Sequence, residues 1–359
     1  MFIPQILYWK WDDSILEGDN LFYKLNDIVN RSDFDTIYVG FHWMTVSFFD
    51  KRFISALIKA CEFLKRVGKK FVIDIDIRNE NYNFFKQYPN CHAYYTEFLE
   101  CILDHEGKAE ILLPAAKVSH WGKKQFVNVQ YIINAWAFTE KNEFSFEKES
   151  LINIKEYITL TDIKENSVTC KVNAGIHNCF KKALIYPAYP HLQPDFFSEE
   201  FYEFYTTMFK AVKDIDLFGA AIDEWGQSPD LRFDGQDYYI KMFPYSPNMN
   251  HGYIALTGKT LDEDLLFLRY YPNGEEELKI NTINKYIENF RNKMKENEEW
   301  FYNKTKEYFG KDAFVAAHST WWGNEKCFYV EVLYNGLSWW DSRRDFGFTD
   351  EEVIMPIRL

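Results

Sequence analysis

Short apolar runs alternate with longer amphipathic ones through the first eighty residues, and this rhythm constrains the chain more than any other feature. QILYWKW (5–11), TIYVGFHW (36–43) and KFVIDIDIR (70–78) read as strands. Between them, NLFYKLNDIVNRS (20–32) and DKRFISALIKACEFLKRVGKK (50–70) carry apolar residues near the 3.6-residue helical period. In the second of these, Ile54, Leu57, Ile58, Cys61 and Leu64 share a face, and Gly68 makes a natural stop. Strands separated by helices must run parallel, with right-handed crossovers, because a tight turn joins only antiparallel neighbours.

The rhythm breaks between 108 and 184. There AEILLPAAKVS, FVNVQYIINAWAF, EYITLTDI, NSVTCKVNA and CFKKALIYPAY read as short strands separated by turn residues such as KENS and NAG. A helix returns at 198–213, with Ser198 as N-cap and Glu199 and Glu200 in its first turn. The strand LFGAAI (217–222) follows, then a helix pair over 260–309, a strand in DAFVAAHSTWWG (312–323) and a last one within 324–351.

The expected architecture is α/β. The candidates are a TIM-type (β/α)8 barrel and an open doubly wound sheet; no glycine-rich phosphate loop follows the first strand, which counts against the second and favours the barrel. Six β/α units fit before Leu359 where a barrel has eight. Either two units escape the pattern or the barrel is incomplete at its C-terminus. The expected domains are a barrel from 1–107 and 185–359 and a small antiparallel β-rich insert at 108–184.

Charge and targeting signals narrow the function classes. A net charge of −13 argues against a nucleic-acid or anionic-membrane partner, since phosphates need clustered Lys and Arg. The six cysteines show no C-x-x-C spacing and read as reduced, packed thiols. MFIPQILYWKWDD lacks the pattern of a secretory leader, and no run of 18 apolar residues exists, so a soluble cytoplasmic chain is expected. The pattern leaves the oligomeric state open. Aromatic residues make up 19% of the chain, more than a core absorbs easily, because Trp and Tyr carry polar atoms that need a partner. Stacking against flat sugar faces is one use for the surplus; a compositional skew shared with Lys, Asn and Ile is the other explanation.

Barrel chemistry sits where strands end, and each strand end here carries acids, histidine or tryptophan. They are Trp9 and Trp11; His42 and Trp43; Asp74 and Asp76; Asp223 and Glu224; His318, Trp321 and Trp322; and Trp339, Trp340 and Asp341, with Arg343 and Glu351 in the loop beyond. The sharpest signal is Asp223-Glu224, which ends a run of small apolar residues and precedes Trp225. A carboxyl group walled by an indole has a raised pKa, as a general acid requires; the alternative role for the pair is capping the next helix. Asp74 and Asp76 share one strand face and suit either ligand contact or an ion pair with Arg78. His42 and His318 lack the tight spacing of metal ligands and read as hydrogen-bonding groups, so no metal or other cofactor is expected. The tryptophan pairs 321–322 and 339–340 each offer one indole for stacking.

Taken together, ILYWKWDD, VIDIDIRNE, the β-rich insert, YPAYPHLQPDFFSEEFYEFY leading into GAAIDEWG, AAHSTWWGNE and NGLSWWDSRRDFGFTDEEVIMPIR resemble the alpha-L-rhamnosidase-like glycoside hydrolases. Trp225 stands where that family usually has proline. The resemblance implies a (β/α)8 barrel, a carbohydrate substrate and a catalytic acid at Glu224 beside Asp223. It leaves Glu351, Asp341 and, less favoured, Glu325 as candidates for the second carboxylate, and it implies inversion of the anomeric centre. The expected activity is cleavage of a glycosidic bond by two carboxylates. The alternative is a carbohydrate-binding, catalytically silent barrel.

Overall fold

The computed structural model describes residues 6–31, 33–120, 123–175, 182–222, 242–318 and 354–356. Its organising element is a six-stranded sheet in the order Ile6–Asp12, Thr36–Trp43, Lys70–Asp74, Gly219–Ile222, Phe314–His318, Ile354–Pro356. The first five strands are parallel and the sixth is antiparallel. Side chains alternate across it, as a pleated strand requires. Leu7, Trp9 and Trp11, Ile37, Val39 and Phe41, Phe71 and Ile73, and Ala220 and Ile222 join the main core. Tyr38, Val72, Ala221 and Ala316 form a separate small cluster, edged by Ile6, Tyr8, Phe218 and Phe314.

Helices α1 (Asn20–Arg31) and α2 (Lys51–Arg66) fall close to their expected positions. Asp50 caps α2 by accepting the Arg52 amide at 2.8 Å, and Gly68 follows its end at φ +74°. The buried stripe of α2 is Phe53, Ala56, Leu57, Ala60, Cys61 and Leu64. Ile58, expected on that face, is instead 40% exposed, because the true stripe is centred on Phe53 and Leu57. The short α3 (Asn81–Gln87) precedes the antiparallel region, and α4 (Glu199–Val212) starts from Ser198, whose hydroxyl accepts the Phe201 amide at 3.2 Å. Beyond it lie α5 (Met249–Thr257), α6 (Leu261–Arg269) and the 34-residue α7 (Glu276–Phe309).

The expected (β/α)8 barrel is overturned. Among the described residues the main sheet has five parallel strands, it is open, and its last strand runs the other way. After the third parallel strand the chain builds antiparallel sheets instead of further β/α units. The largest has the order Ile152–Asn153, Tyr131–Phe138, Lys182–Pro194, His92–Glu97, Met242–Tyr245, with Leu99–Cys101 also on the central strand. Smaller ones join Ile158–Lys164, Ser167–Asn173 and Lys108–Pro114, and Ala116–His120 with Lys123–Val127. A regular first third therefore did not imply a regular whole.

Lys182–Pro194 holds this region together. It carries Pro187, Pro190 and Pro194, which have no amide hydrogen to give a ladder. Its register shifts at Tyr186/Pro187 and at Pro190/Pro194, so the pairing accommodates these residues by irregularity. Tyr186 reaches from this strand to α6, donating its hydroxyl to the Leu265 carbonyl at 2.6 Å. Lys182 bonds Glu140 at 2.6 Å and lies 3.5 Å from Glu100, which also accepts from Arg269 at 3.1 Å.

One close approach tests the parallel sheet. A Cβ on Gly219 would stand 1.9 Å from the backbone oxygen of Phe314 in the paired strand. Backbone in a central strand cannot yield as a side chain would. Gly219→Ala is expected to cost about 3 kcal/mol or more, while Gly18→Ala, with open space but φ +50°, costs about 1 kcal/mol. Urea unfolding midpoints of the two variants measure the difference.

Candidate functional site

Open parallel sheets bind ligands beyond the carboxyl ends of their strands, where the connecting loops leave the sheet. Here the loops after the first three strands are fastened to one another by carboxylates. Asp12 caps the short 3-10 turn Asp13–Leu16 by accepting the Ser14 amide at 2.9 Å. Asp13 crosses to the second loop, accepting the Thr45 amide at 2.9 Å and the Thr45 hydroxyl. Partial burial raises the Asp13 pKa, but these Thr45 bonds outweigh it and leave the carboxyl below the usual range. Glu80, 1% exposed, reaches the same loop from the other side. It accepts the Ser47 hydroxyl at 3.0 Å, the Phe48 amide at 2.5 Å and the Asn83 side-chain amide at 2.6 Å.

Asp74 ends the third strand and Asp76 follows it, and both are fully buried. Asp74 pairs in register with Ala221 of the neighbouring strand, and the Ile75 amide donates to the Ala221 carbonyl at 2.8 Å. The Ile77 amide donates to the Tyr205 hydroxyl of α4 at 3.4 Å, which ties the turn after Asp76 to that helix. On the far side of Gly219–Ile222, the strand Phe314–His318 pairs Ala317 with Ile222 and ends at His318.

Other expected site residues fall differently. Trp11 is fully buried against Phe53 and Phe71, and Trp9 packs half-buried on the same core, edge-on to Trp11 at 5.3 Å. Both indoles fill space on the helical side of the sheet. The backbone of His42 belongs to the second strand. Asp223, Glu224, Trp225, Trp321, Trp322, Trp339, Trp340, Asp341, Arg343 and Glu351 lie outside the described residues.

Sequence reasoning missed Asp13 and Glu80. The WDDS stretch at the end of the first strand is a capping signal that points to Asp12, whereas the partner of Asp13, Thr45, stands 32 residues later. Nothing local marks Glu80 as a loop fastener, since Ser47 and Phe48, the partners it ties, stand more than thirty residues earlier.

Several other chemistries lack support among the described residues. No three of His, Cys, Asp and Glu gather as a metal site. Burial pushes the thiols of Cys61, Cys101 and Cys170 up to about 11 and that of Cys91 to about 12, far from nucleophilic. No helix among the described residues is long and apolar enough to cross a membrane. A cleft of about 470 Å³ lies at the opposite edge of the sheet, among Lys65, Lys70, Asp216, Phe218 and Lys311. The C-terminal ends of α2 and α7 border it, and Lys65 is already paired with Asp216, so this region has the chemistry of a structural seam.

No family model and no curated protein matches this chain. Among solved structures, a rhamnosidase from Novosphingobium sp. PP1Y is similar at a TM-score of 0.45 and 8% identity, over 88% of this chain and 46% of that one. The chain thus spans about half the length of that enzyme. A likeness at this level decides neither fold nor activity.

The two fasteners differ in burial and should differ in weight. Glu80→Ala strands a buried Phe48 amide and is expected to cost about 3 kcal/mol, whereas Asp13→Ala, at a more exposed pair, costs about 1 kcal/mol. Thermal unfolding of both variants beside the parent chain checks the ratio.

Proposed function

We propose that this protein is a glycoside hydrolase in which Glu224 is the general acid and Asp223 positions it. The observation that carries this reading is the place of the strand Gly219–Ile222. It lies between the strand that ends at Asp74 and the strand that ends at His318, and its next residues in sequence are Asp223 and Glu224. Asp74 and Asp76, both fully buried, supply carboxylates on the adjoining strand end. Acids leaving a sheet at neighbouring strand ends suit a reaction that needs one carboxyl to give a proton and another to attack or to activate water.

In this reading Glu224 protonates the leaving oxygen of the glycosidic bond. Trp225, next in sequence, keeps the acid's surroundings apolar, so that it holds its proton near neutrality. The second carboxylate is Asp341 or Glu351. A separation of about 5 Å between it and Glu224 gives retention, and roughly 6.5–9.5 Å gives inversion, the outcome proposed here. Asp74 and Asp76 hold sugar hydroxyls, and an indole from each of the pairs 321–322 and 339–340 stacks on a sugar face.

The test is a panel of aryl glycosides assayed with the parent chain and with Glu224→Gln. Turnover of at least one substrate is expected, with kcat reduced about 10²–10⁴-fold in the variant. Full activity in Glu224→Gln would remove the assignment. Sugar binding without turnover by the parent would instead identify a carbohydrate-binding protein.

A further inference from the structure

The turn between the strand Lys182–Pro194 and α4 contains a carboxyl that the proposed chemistry does not use. Asp195 is 1% exposed. The Asn248 side-chain amide donates to it at 2.8 Å and the Phe197 amide at 3.0 Å, and the Ser246 hydroxyl is a third donor. Ser246 and Asn248 lead directly into α5, whose first amide, Met249, donates to the Ser246 carbonyl at 3.1 Å and to its hydroxyl oxygen at 3.2 Å. The Asp195 main chain is fixed as well. Its amide donates to the Cys91 carbonyl at 3.2 Å, and its carbonyl accepts the Ser198 amide at 3.0 Å.

Among the described residues, charged and titratable groups approach from several sides. Cys91 and Tyr94 face Asp195 from the start of the His92–Glu97 region, and Tyr131 from the neighbouring strand. Glu200 of α4 lies 3.9 Å from the Cys91 sulfur. His92 and His191 stand on the two strands that meet at this corner. Among the described residues the cation acting on Asp195 is Lys293 of α7, but its ammonium is 3.2 Å from Glu296 and 4.7 Å from the Tyr202 ring centre. Asp195 is thus a buried acid held by neutral donors at a corner where a strand, α4 and the approach to α5 meet.

We propose that Asp195 is a proton-operated latch on the approach to α5: neutral, it locks Ser246–Asn248 against the strand-to-helix corner, and ionised it favours opening of that corner to water. The hydrogen bonds permit both states. When the carboxyl takes a proton from solvent, the Phe197 amide and the Asn248 side chain still donate to it, and the Ser246 hydroxyl turns to accept the new O–H. What protonation removes is the cost of an ionised group without water around it.

Burial pushes the Asp195 carboxyl up to about 6, against the opposing pull of Asn248, Ser246, the Phe197 amide and Lys293. The folded chain therefore binds this proton more tightly than the unfolded chain, whose carboxyl titrates near the ordinary aspartate value of 3.8. The latch's contribution is complete below about pH 4 and is lost as pH rises through about 6.

The experiment is amide hydrogen exchange on the full chain from pH 5 to pH 8, corrected for intrinsic rates and read over residues 246–257. Protection there is expected to fall about tenfold or more across pH 6, while Asp195→Asn shows a flat profile. Lys293→Met keeps the acid and removes a charge favouring its ionised form, so its midpoint is expected to move upward; this variant decides the matter if Asp195→Asn does not fold. A flat profile in the parent, the same pH dependence in Asp195→Asn, or an unmoved midpoint in Lys293→Met would each overturn the proposal. The comparison with Asp195→Asn also separates this carboxyl from His92 and His191.

Discussion

The pairing of Lys182–Pro194 with strands on both of its sides is the constraint on which the antiparallel half depends. One edge meets Tyr131–Phe138; the other meets Leu99–Cys101 and then His92–Glu97. No other described strand is as long, and its three prolines would be excluded from a regular central position. The register shifts let them in. In exchange the strand gains fixed φ angles at three points, which lowers the conformational entropy that ordering it would otherwise cost. Tyr186 and Lys182 then carry its position outward, one by a buried hydroxyl on α6 and the other by a charge cluster with Glu100, Glu140 and Arg269.

Local pattern was legible where a local rule decides the outcome. The strands ending near Asp12, Trp43 and Asp74, helices α1, α2 and α4, and the Ser198 cap all follow from periodicity and capping chemistry. What failed was extrapolation: three parallel strands in succession look like the start of a barrel, yet the next elements pair antiparallel with partners about a hundred residues away. No window of sequence contains that information. The helical face of α2 was shifted for a related reason, because Phe53 packs against Trp11, Phe41 and Phe48, none of them on its own helix.

The carboxylates at the strand ends show the same division. As a set they were visible as acids following apolar runs. Their individual jobs were not, because a capping acid, a loop fastener and a ligand-binding acid look alike in one dimension. Asp12 serves local order, Asp13 and Glu80 tie loops together, and Asp74 and Asp76 stand deeper, beside the strand that leads to Asp223-Glu224. A site built on such an edge inherits a rigid rim, since loops already bonded to one another need little further ordering when a substrate arrives.

The pairing order of the parallel sheet also bears on how the chain is made. Lys70–Asp74 finds its second neighbour only when Gly219–Ile222 has been synthesised, and Gly219–Ile222 waits in turn for Phe314–His318. While the ribosome adds the residues between, the nascent N-terminal portion carries a bare strand edge with Val72 and Ile73 beside it. Such an edge pairs with whatever strand comes first, including one from another chain. Most of the antiparallel strands synthesised in that interval pair with one another, and His92–Glu97 completes its second edge only later, with Met242–Tyr245.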